Sequence, residues 1–528
     1  MKYKILITGA LHPIALSILQ AASDAEVTYR PDLPRAQLLE TVAPQHALIS
    51  RSETDIDRAL IDRAPQLKVI ARAAVGVGNI DVDYATERGI LVINTPGKNT
   101  NSAAELTLGL LLAAVRNIVP AHQHMQQLGW DRHRFTGTEL LHKTIGIIGL
   151  GNVGSRVARF ARAFEMETLA YDPYIADEVF EAHHVRKADL DALIRESDVI
   201  TVHVPKTRET SDMIQAGQIA RMKDGVLLLN LSRGGIINES ALLAALKSGK
   251  VRAAGIDTWD VEPPRDNPFG QLPQVVMTPH IGASTAEAQQ RIAESIAEQT
   301  LKALRDEVVD FPVNMPRMKA LMSPRAKDYT VLAEKLGSFA MQSLDFNPHT
   351  IQVQYRGELS SDDGAMIRRA FLKGFLKNTA SDLITFVNAE QRAAERHIQV
   401  TDSDDPAFSE YPSAIRFVIS DGRESFSIAG VVFGKNNHRI SQVNEFDFEV
   451  IPEGHLLSMV NMDRPGVIGD LGTCLSRNGI NISQFELSRN MPGGNAMSLL
   501  RVDSPVEKPL LEQLQAIKNM VSVRVIQV

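Results

Sequence analysis

Residues 143–172 read KTIGIIGLGNVGSRVARFARAFEMETLAYD. A β-rich run ends at Ile148 and is followed at once by Gly149, Gly151 and Gly154 in GxGxxG spacing. The glycines open a helix whose apolar residues, Val157, Phe160, Ala161 and Phe164, recur at i, i+3, i+4 and i+7. A bare GxGxxG match is weak evidence, but a strand before it and an amphipathic helix after it are the context that the motif demands. Gly149 permits the tight turn, Gly151 lets a pyrophosphate approach the backbone, and Gly154 lets the helix pack on the strand with its N-terminus facing the anion. Asp172 ends the next strand, about where an acid that bonds a ribose 2′-hydroxyl is expected. A carboxylate there repels a 2′-phosphate, and the following Pro173 and Tyr174 supply no arginine, so the stretch predicts a Rossmann unit that takes NAD rather than NADP.

Working outward, the strand-like runs ETLAYD, DVITVHV, VLLLNL, AAGIDT and QVVMTP extend this unit over 99–283. Upstream, KILIT, HALIS, KVIARA and ILVIN alternate with helical stretches over 1–98 and predict a second parallel-sheet α/β domain. Its first turn, TGALHP, carries only Gly9 and lacks the spacing for a pyrophosphate. The helix TAEAQQRIAESIAEQTLKAL at 285–304 is expected to return to that first domain, giving a substrate-binding domain of 1–98 and 284–315 and a cleft between the two. Residues 311–325, rich in Pro and Met, read as a linker into an α+β intervening region at 320–452. The last part, 453–528, has the order strand–helix–strand–strand–helix–strand of a ferredoxin-like βαββαβ unit.

A chain of 528 residues is too long for one core, which agrees with this division. Hydrophobic residues at 44% and charged residues at 23% exclude disordered and fibrous classes. A net charge of −7 gives no electrostatic footprint for nucleic acid or an anionic membrane, so small molecules are the expected partners. The single cysteine, Cys474, can form neither an internal disulfide nor a thiolate metal site; no metal and a reducing cytoplasm are expected. The N-terminus MKYKILITGA begins as a strand without the features of a signal peptide, and LTLGLLLAAV at 106–115 is too short to span a bilayer and reads as a buried helix.

Three residues stand just after strand ends of the Rossmann unit: Arg233 in NLSRGGIINESAL, Glu262 in AAGIDTWDVEPP and His280 in MTPHIGAST. Chemistry in open parallel sheets gathers outside the carboxyl ends of the strands, so the three can converge. A histidine can take a hydroxyl proton as hydride leaves, a carboxylate can hold the imidazole and raise its basicity, and an arginine can clamp an α-carboxylate. With these motifs, residues 1–310 resemble the D-isomer-specific 2-hydroxyacid dehydrogenases. The resemblance implies a catalytic triad of Arg233, Glu262 and His280. It places a substrate carboxylate on Arg233 and on the backbone of AAVGVGNID at Val75 and Gly76. It further implies cofactor contacts from Asn152, Val153, Val204, Leu231, Ser232, Asp257 and the turn His280, Ile281, Gly282, Ala283.

With its intervening and C-terminal domains the chain is similar, over essentially its whole length, to the long members of that family, including QYRGEL at 354–359 and FVNAEQRAAER at 386–396. Those members have a C-terminal ACT domain and oxidise 3-phospho-D-glycerate to 3-phosphooxypyruvate with NAD at the start of serine biosynthesis. Cations for the phosphate are sought in ISRSETDI, at Arg51 and Ser52, and in PGKNTNSAAEL, at Lys98 and Asn99. Trp130, in GWDRHRFTG, lies in a segment that in the family reaches a dimer partner, and a homotetramer closed through the nucleotide and ACT domains is the expected assembly. Other readings are a dehydrogenase for hydroxypyruvate or 2-oxoglutarate, or an NAD-sensing protein like the corepressors that share this fold; the latter lack an ACT tail.

Residues 461–482, NMDRPGVIGDLGTCLSRNGINI, predict a helix with Val467, Leu471 and Leu475 on one face and Gly479 as its stop. The amides bared by its Pro-Gly turn, with Asp463 for an ammonium and Asn461 and Asn481 as amide partners, fit a free amino acid. The family resemblance implies L-serine as a feedback effector there. In the intervening region Arg356, Arg368, Arg369, Lys373, Lys377, Lys435 and Arg439 are candidates for a further anion site.

Overall fold

The computed structural model describes residues 2–307, 309–316, 324–357, 359, 364–377, 383–405, 409–434 and 436–528. Lys435, part of the linker and Glu358 of QYRGEL lie outside them. The chain builds four sheets. The first holds β1 (Tyr3–Ile7), β2 (Ala25–Tyr29), β3 (Ala47–Ser50), β4 (Val69–Arg72) and β5 (Leu91–Ile93), all parallel, in the order β2-β1-β3-β4-β5. The edge strand β2, AEVTY, has only one wholly buried residue, which is why hydrophobic runs alone do not reveal it. Helix Ala286–Leu304 returns to this sheet: Ile292, Ala293 and Ile296 share a core with Ile5, Ile49 and Ala71.

The second sheet holds β6 (Thr144–Ile148), β7 (Glu167–Tyr171), β8 (Arg186–Lys187), β9 (Val199–Val202), β10 (Val226–Asn230), β11 (Val251–Ile256) and β12 (Val275–Met277). Its order, β12-β11-β10-β9-β6-β7-β8, is parallel throughout and reverses direction of growth at β6, so the β6–β9 boundary is a topological switch point. β8 is a two-residue, exposed pair that no run of apolar residues announces. Helix Thr100–Val115 crosses this sheet, with Leu108, Leu110 and Leu111 buried. No single helix among the described residues is long and apolar enough to cross a membrane; this helix passes such a test only jointly with Ile118–Gln126, at a bend of 65°.

The third sheet is mixed: β13 (Thr350–Arg356), β14 (Gln399–Asp404), β15 (Ala414–Ser420), β16 (Ser425–Val432), β17 (His438–Val443) and β18 (Phe446–Val450), ordered β14-β13-β15-β16-β17-β18. Helices Pro324–Ser343 and Gly364–Leu376 cross at two glycines, where a Cβ on Gly337 or Gly374 would stand 2.1 or 1.9 Å from the other helix's backbone carbonyl oxygen. The fourth sheet, β19 (His455–Met462), β20 (Ile482–Arg489), β21 (Asn495–Val502) and β22 (Met520–Gln527), is antiparallel in the ferredoxin-like order β20-β21-β19-β22. One face, with Leu457, Met459 and Leu500, lies under helices Val467–Arg477 and Lys508–Gln515. The other, with Leu456, Leu499 and Ile526, shares one core with helix Pro324–Ser343 and the third sheet. Gln342 adds a reciprocal pair of hydrogen bonds to the Gln527 backbone, at 2.9 and 3.0 Å, so the last two sheets are joined as one body.

Candidate active site

β6 runs into Gly149, whose φ of +92° lies in the region that favours glycine. A Cβ there would meet the His203 carbonyl oxygen and Val204 Cγ1, each at 2.7 Å, and one on Gly154 would lie 2.0 Å from the Gly149 oxygen. Gly151 differs: no atom lies within 4 Å of where its Cβ would be, so open space stands over the N-terminus of helix Asn152–Ala163. That cradle fits a pyrophosphate on helix amides. The buried helix face is Gly154, Val157, Ala158 and Ala161; Phe164, expected on it, falls past the last helical residue and is exposed, because the chain has already turned away. Asp172 lies at the loop, with Oδ2 accepting from Leu150 N at 3.0 Å and Oδ1 from Tyr174 N at 3.1 Å. The acid thus braces the glycine loop as well as standing where a ribose would be met.

Arg233, Glu262 and His280 follow β10, β11 and β12. His280 Nδ1 and Glu262 Oε2 are 2.7 Å apart, and Glu262 Oε1 accepts from Trp259 N at 3.1 Å, so the carboxylate is held at both oxygens. His280 sits at φ +53°, an uncommon conformation for a non-glycine residue. Asp257 accounts for it: this wholly buried carboxylate accepts from Thr278 Oγ1 at 2.5 Å, Ile281 N at 2.8 Å and Gly282 N at 2.9 Å. Asp257, expected among the cofactor contacts, thus braces the His280–Ala283 turn through three donors. A cavity of ≈ 480 Å³ borders the His–Glu pair, and its other walls include Trp259, Pro263, Pro264 and Met277.

Leu231 is buried at the end of β10, and the Asn230 side chain shapes the next turn, accepting from Ser232 N at 3.3 Å and donating to the Arg233 carbonyl at 2.9 Å. Arg233 Nη1 donates to Ser232 O at 2.6 Å, while a Cβ on Gly76 would lie 2.8 Å from its Nη2. The guanidinium therefore crosses from the second sheet to the Val75–Gly76 loop of the first, and burial lowers its pKa, with Glu262 opposing. Arg72, which sequence reasoning missed, stands beneath that loop. It is buried, donates from Nε to Gly76 O at 3.0 Å, and has no partner for Nη1 among the described residues. Burial brings its pKa down to about 10, with Glu53 opposing and Arg51 and Arg233 adding repulsion, so it stays charged at neutral pH. The signal was an arginine ending the otherwise apolar strand VIAR.

The phosphate candidates divide. Arg51 Nη1 donates to Ala10 O at 2.7 Å and Gln289 Oε1 at 2.8 Å, and its stem fills the space above Gly9, which leaves the first turn no room for a pyrophosphate. Ser52 is exposed beside it. Asn99 caps helix Thr100–Val115 without a side-chain bond, whereas Lys98 Nζ lies 5.7 Å over the Phe311 ring, drawn there by the ring's negative face.

In the fourth sheet Val467, Leu471 and Leu475 are buried as one helical face and Gly479 follows at φ +70°. The three expected effector residues are partly engaged. Asn461 is buried and donates to Met462 O at 2.8 Å; Asn481 donates to Asp503 Oδ2 at 2.7 Å. Asp463 Oδ2 accepts from Gly493 N and Arg489, which hold its pKa below the ordinary value. Three of the basic residues of the intervening region are paired with carboxylates: Arg368 with Glu390 and Asp402, Arg369 with Glu390, and Lys373 with Glu334. Half-buried cations need carboxylates, and the fold supplies them from sequence-distant elements.

No group of three or more metal-ligating side chains occurs among the described residues. Residues 108–282 match the family model of the D-isomer specific 2-hydroxyacid dehydrogenase NAD binding domain, and 325–444 match that of the D-3-phosphoglycerate dehydrogenase intervening domain. The D-3-phosphoglycerate dehydrogenase of Methanocaldococcus jannaschii is 42% identical over 524 residues, 99% of each chain, and that of Bacillus subtilis 36% over 480 residues, 91% of each. Among solved structures, D-lactate dehydrogenase from Aquifex aeolicus, complexed with NAD and lactic acid, aligns with a TM-score of 0.53 at 27% identity, covering 59% of this chain and 99% of that one. A Thermus thermophilus protein aligns at 0.54 with 36% identity, covering 59% and 99%. With its glycine-loop Rossmann sheet, its histidine–glutamate pair facing an arginine, and relatives that align from end to end, the chain is an NAD-dependent oxidoreductase and belongs to the D-3-phosphoglycerate dehydrogenase family.

Proposed function

We propose that this chain oxidises 3-phospho-D-glycerate to 3-phosphooxypyruvate, the first step of L-serine biosynthesis, in the cleft between the first two sheets. The observation that carries the reading is the convergence of Arg233, the Val75–Gly76 loop and the 2.7 Å His280–Glu262 pair. Arg233 and the loop amides hold the α-carboxylate. With Nδ1 engaged by Glu262, His280 presents Nε2 to the C2 hydroxyl and takes its proton, while Glu262 stabilises the imidazolium that results. Bound NAD supplies the hydride acceptor; Gly149, Gly151, Asn152, Val153 and Gly154 would hold its pyrophosphate, Asp172 its ribose, and Val204, Leu231, Ser232 and the His280–Ala283 turn its nicotinamide end. Buried Arg72 at the end of β4, with Arg51 and Ser52 just after the neighbouring strand β3, supports a substrate with a second anionic group.

L-Serine is proposed as the effector of the ACT domain. Both bonds to Asp463 fall on Oδ2, so Oδ1 is left for an ammonium, beside the turn that starts helix Val467–Arg477. A homotetramer is proposed because two separate sheets show apolar surface: Leu128 and Trp130 are 95% and 79% exposed near the second, and Phe485 and Leu487 stand exposed on β20, an edge of the fourth. Two distinct patches, each meeting its own copy about a two-fold axis, would close a dimer of dimers. The test is NAD reduction with 3-phosphoglycerate, D-lactate and 2-hydroxyglutarate in parallel. Preference for 3-phosphoglycerate supports the reading, and equal or greater turnover of an unphosphorylated acid replaces it with a broader dehydrogenase.

A further inference from the structure

Among the described residues, the intervening region is hydrogen-bonded to the first domain at a small joint. Thr385 Oγ1 donates to Gly89 O at 3.0 Å, Arg392 Nη2 to Glu87 O at 3.0 Å, and Asn388 Nδ2 to Glu87 O at 3.4 Å. Glu87 is the last residue of helix Val82–Glu87, whose closing carbonyls have no partner within the helix, and Gly89 lies two residues beyond it. Gly89 is at φ +73°, and a Cβ on it would stand 2.9 Å from Thr385 Oγ1 and 3.0 Å from Asn388 Nδ2, so the contact is close as well as polar.

On its far side the joint is built into the intervening core. Arg369, largely buried, donates to the carbonyls of Phe386 and Val387 at 3.0 and 3.2 Å, between Thr385 and Asn388. Glu390 receives both Arg369, at 2.6 Å, and Arg368, at 2.8 Å; Arg368 also reaches Asp402, which accepts from the Tyr355 hydroxyl at 3.0 Å. Two cations and two carboxylates balance, so the network is a neutral strut anchored in β13 and β14.

On its near side, Gly89 is followed by Ile90 and β5. At the end of β5 the Asn94 side chain donates to Val75 O at 2.7 Å and Thr95 N to Ala74 O at 3.2 Å. Those carbonyls belong to the loop that faces Arg233. Asn314 of the linker pins the same turn, accepting from Val92 N and donating to Thr86 Oγ1 and Ile90 O, each at 2.9 Å.

We propose that Thr385, Asn388 and Arg392 are positioning residues for the substrate loop: the joint seats the strut on the turn that leads into β5, and β5 sets the place of Val75 and Gly76. The last two sheets share one core, so this joint is where a displacement of the regulatory half would reach the cleft. The inference rests on the reading that the 72–76 loop meets the substrate.

The experiment compares Thr385→Val, Thr385→Ser and Asn388→Ala in the full chain, by steady-state kinetics and by hydrogen exchange of peptides covering 72–76 and 86–95. Thr385→Val and Asn388→Ala are expected to raise KM for 3-phosphoglycerate about 3- to 10-fold, with KM for NAD unchanged and faster exchange in both peptides. Thr385→Ser, which keeps the hydroxyl, restores the original values. Unchanged exchange would overturn the joint; faster exchange with no change in substrate KM would overturn its positioning role. If Asn388→Ala does not fold, the Thr385 pair carries the same comparison. Arg233→Lys, outside the joint, reports separately whether the cleft loop and its arginine meet the substrate at all.

Discussion

His280 and Glu262 are 18 residues apart in sequence and 2.7 Å apart in space, and the second fact depends on a third residue, Asp257. The turn that carries the imidazole is bent to a positive φ and is held there by a buried carboxylate on three donors. His280→Ala is expected to lower kcat by about 10²–10⁴-fold, the range for a positioned general base, while NAD binding measured by fluorescence titration persists. Glu262→Gln should lower kcat less than His280→Ala in steady-state assays, since an amide oxygen can still accept from Nδ1 and hold the ring in place but brings no full negative charge to the imidazolium formed in the reaction. The convergence of Arg233, Glu262 and His280 and the glycine loop were legible because residue type and position after strand ends already point to one crevice. Arg72 was not: an arginine at a strand end reads as a solvated charge until the loop above it is seen.

At the scale of elements, close backbone approach decides what the glycine loop tolerates. A methyl on Gly154 would lie 2.0 Å from the Gly149 carbonyl oxygen, against backbone that cannot rotate aside. Gly154→Ala should cost about 1–3 kcal/mol or more, as overpacking does, with a lowered Tm and weakened NAD binding. A second prediction concerns His203, which follows β9 beside that loop. Burial pushes its pKa from the ordinary 6.5 down to about 4, and its ring lies 2.9 Å from Thr201 Oγ1. The folded state keeps it neutral while the unfolded chain protonates it, so the stability it supports is complete above about pH 6.5 and is lost as pH falls toward 4. Urea titrations between those limits should show a slope that His203→Gln reduces. Long apolar strands and the helices Thr100–Val115 and Ala286–Leu304 were visible from periodicity. The strands Ala25–Tyr29 and Arg186–Lys187 were not, because edge strands with few buried residues carry no hydrophobic run. Phe164 was misjudged for a related reason, since a helical period continues in the sequence after the helix itself has ended.

In the whole molecule, the last two sheets form one body that meets the first domain at Thr385, Asn388 and Arg392. If L-serine binds at the turn after β19, it should depress turnover, and Asp463→Ala should remove that depression while basal turnover stays the same; loss of basal activity in that variant would instead make the carboxylate a structural clamp on Arg489 and Gly493. The sequence by itself determined the succession of α/β and ferredoxin-like units, the Rossmann loop with its preference for NAD, and the identity of the residues at the strand ends. All of these are written locally, in glycine spacing, in the period of apolar residues and in an acid at one position. Only the tertiary structure decided which charges meet. Arg368, Arg369 and Lys373, a cationic run in sequence, are neutralised by Glu334, Glu390 and Asp402 and become a strut rather than an anion site. Thr385, Asn388 and Arg392 find carbonyls some three hundred residues away. A half-buried charge or a bared helix end must find a partner, but nothing local specifies which one, and that choice is made by the packing of the sheets.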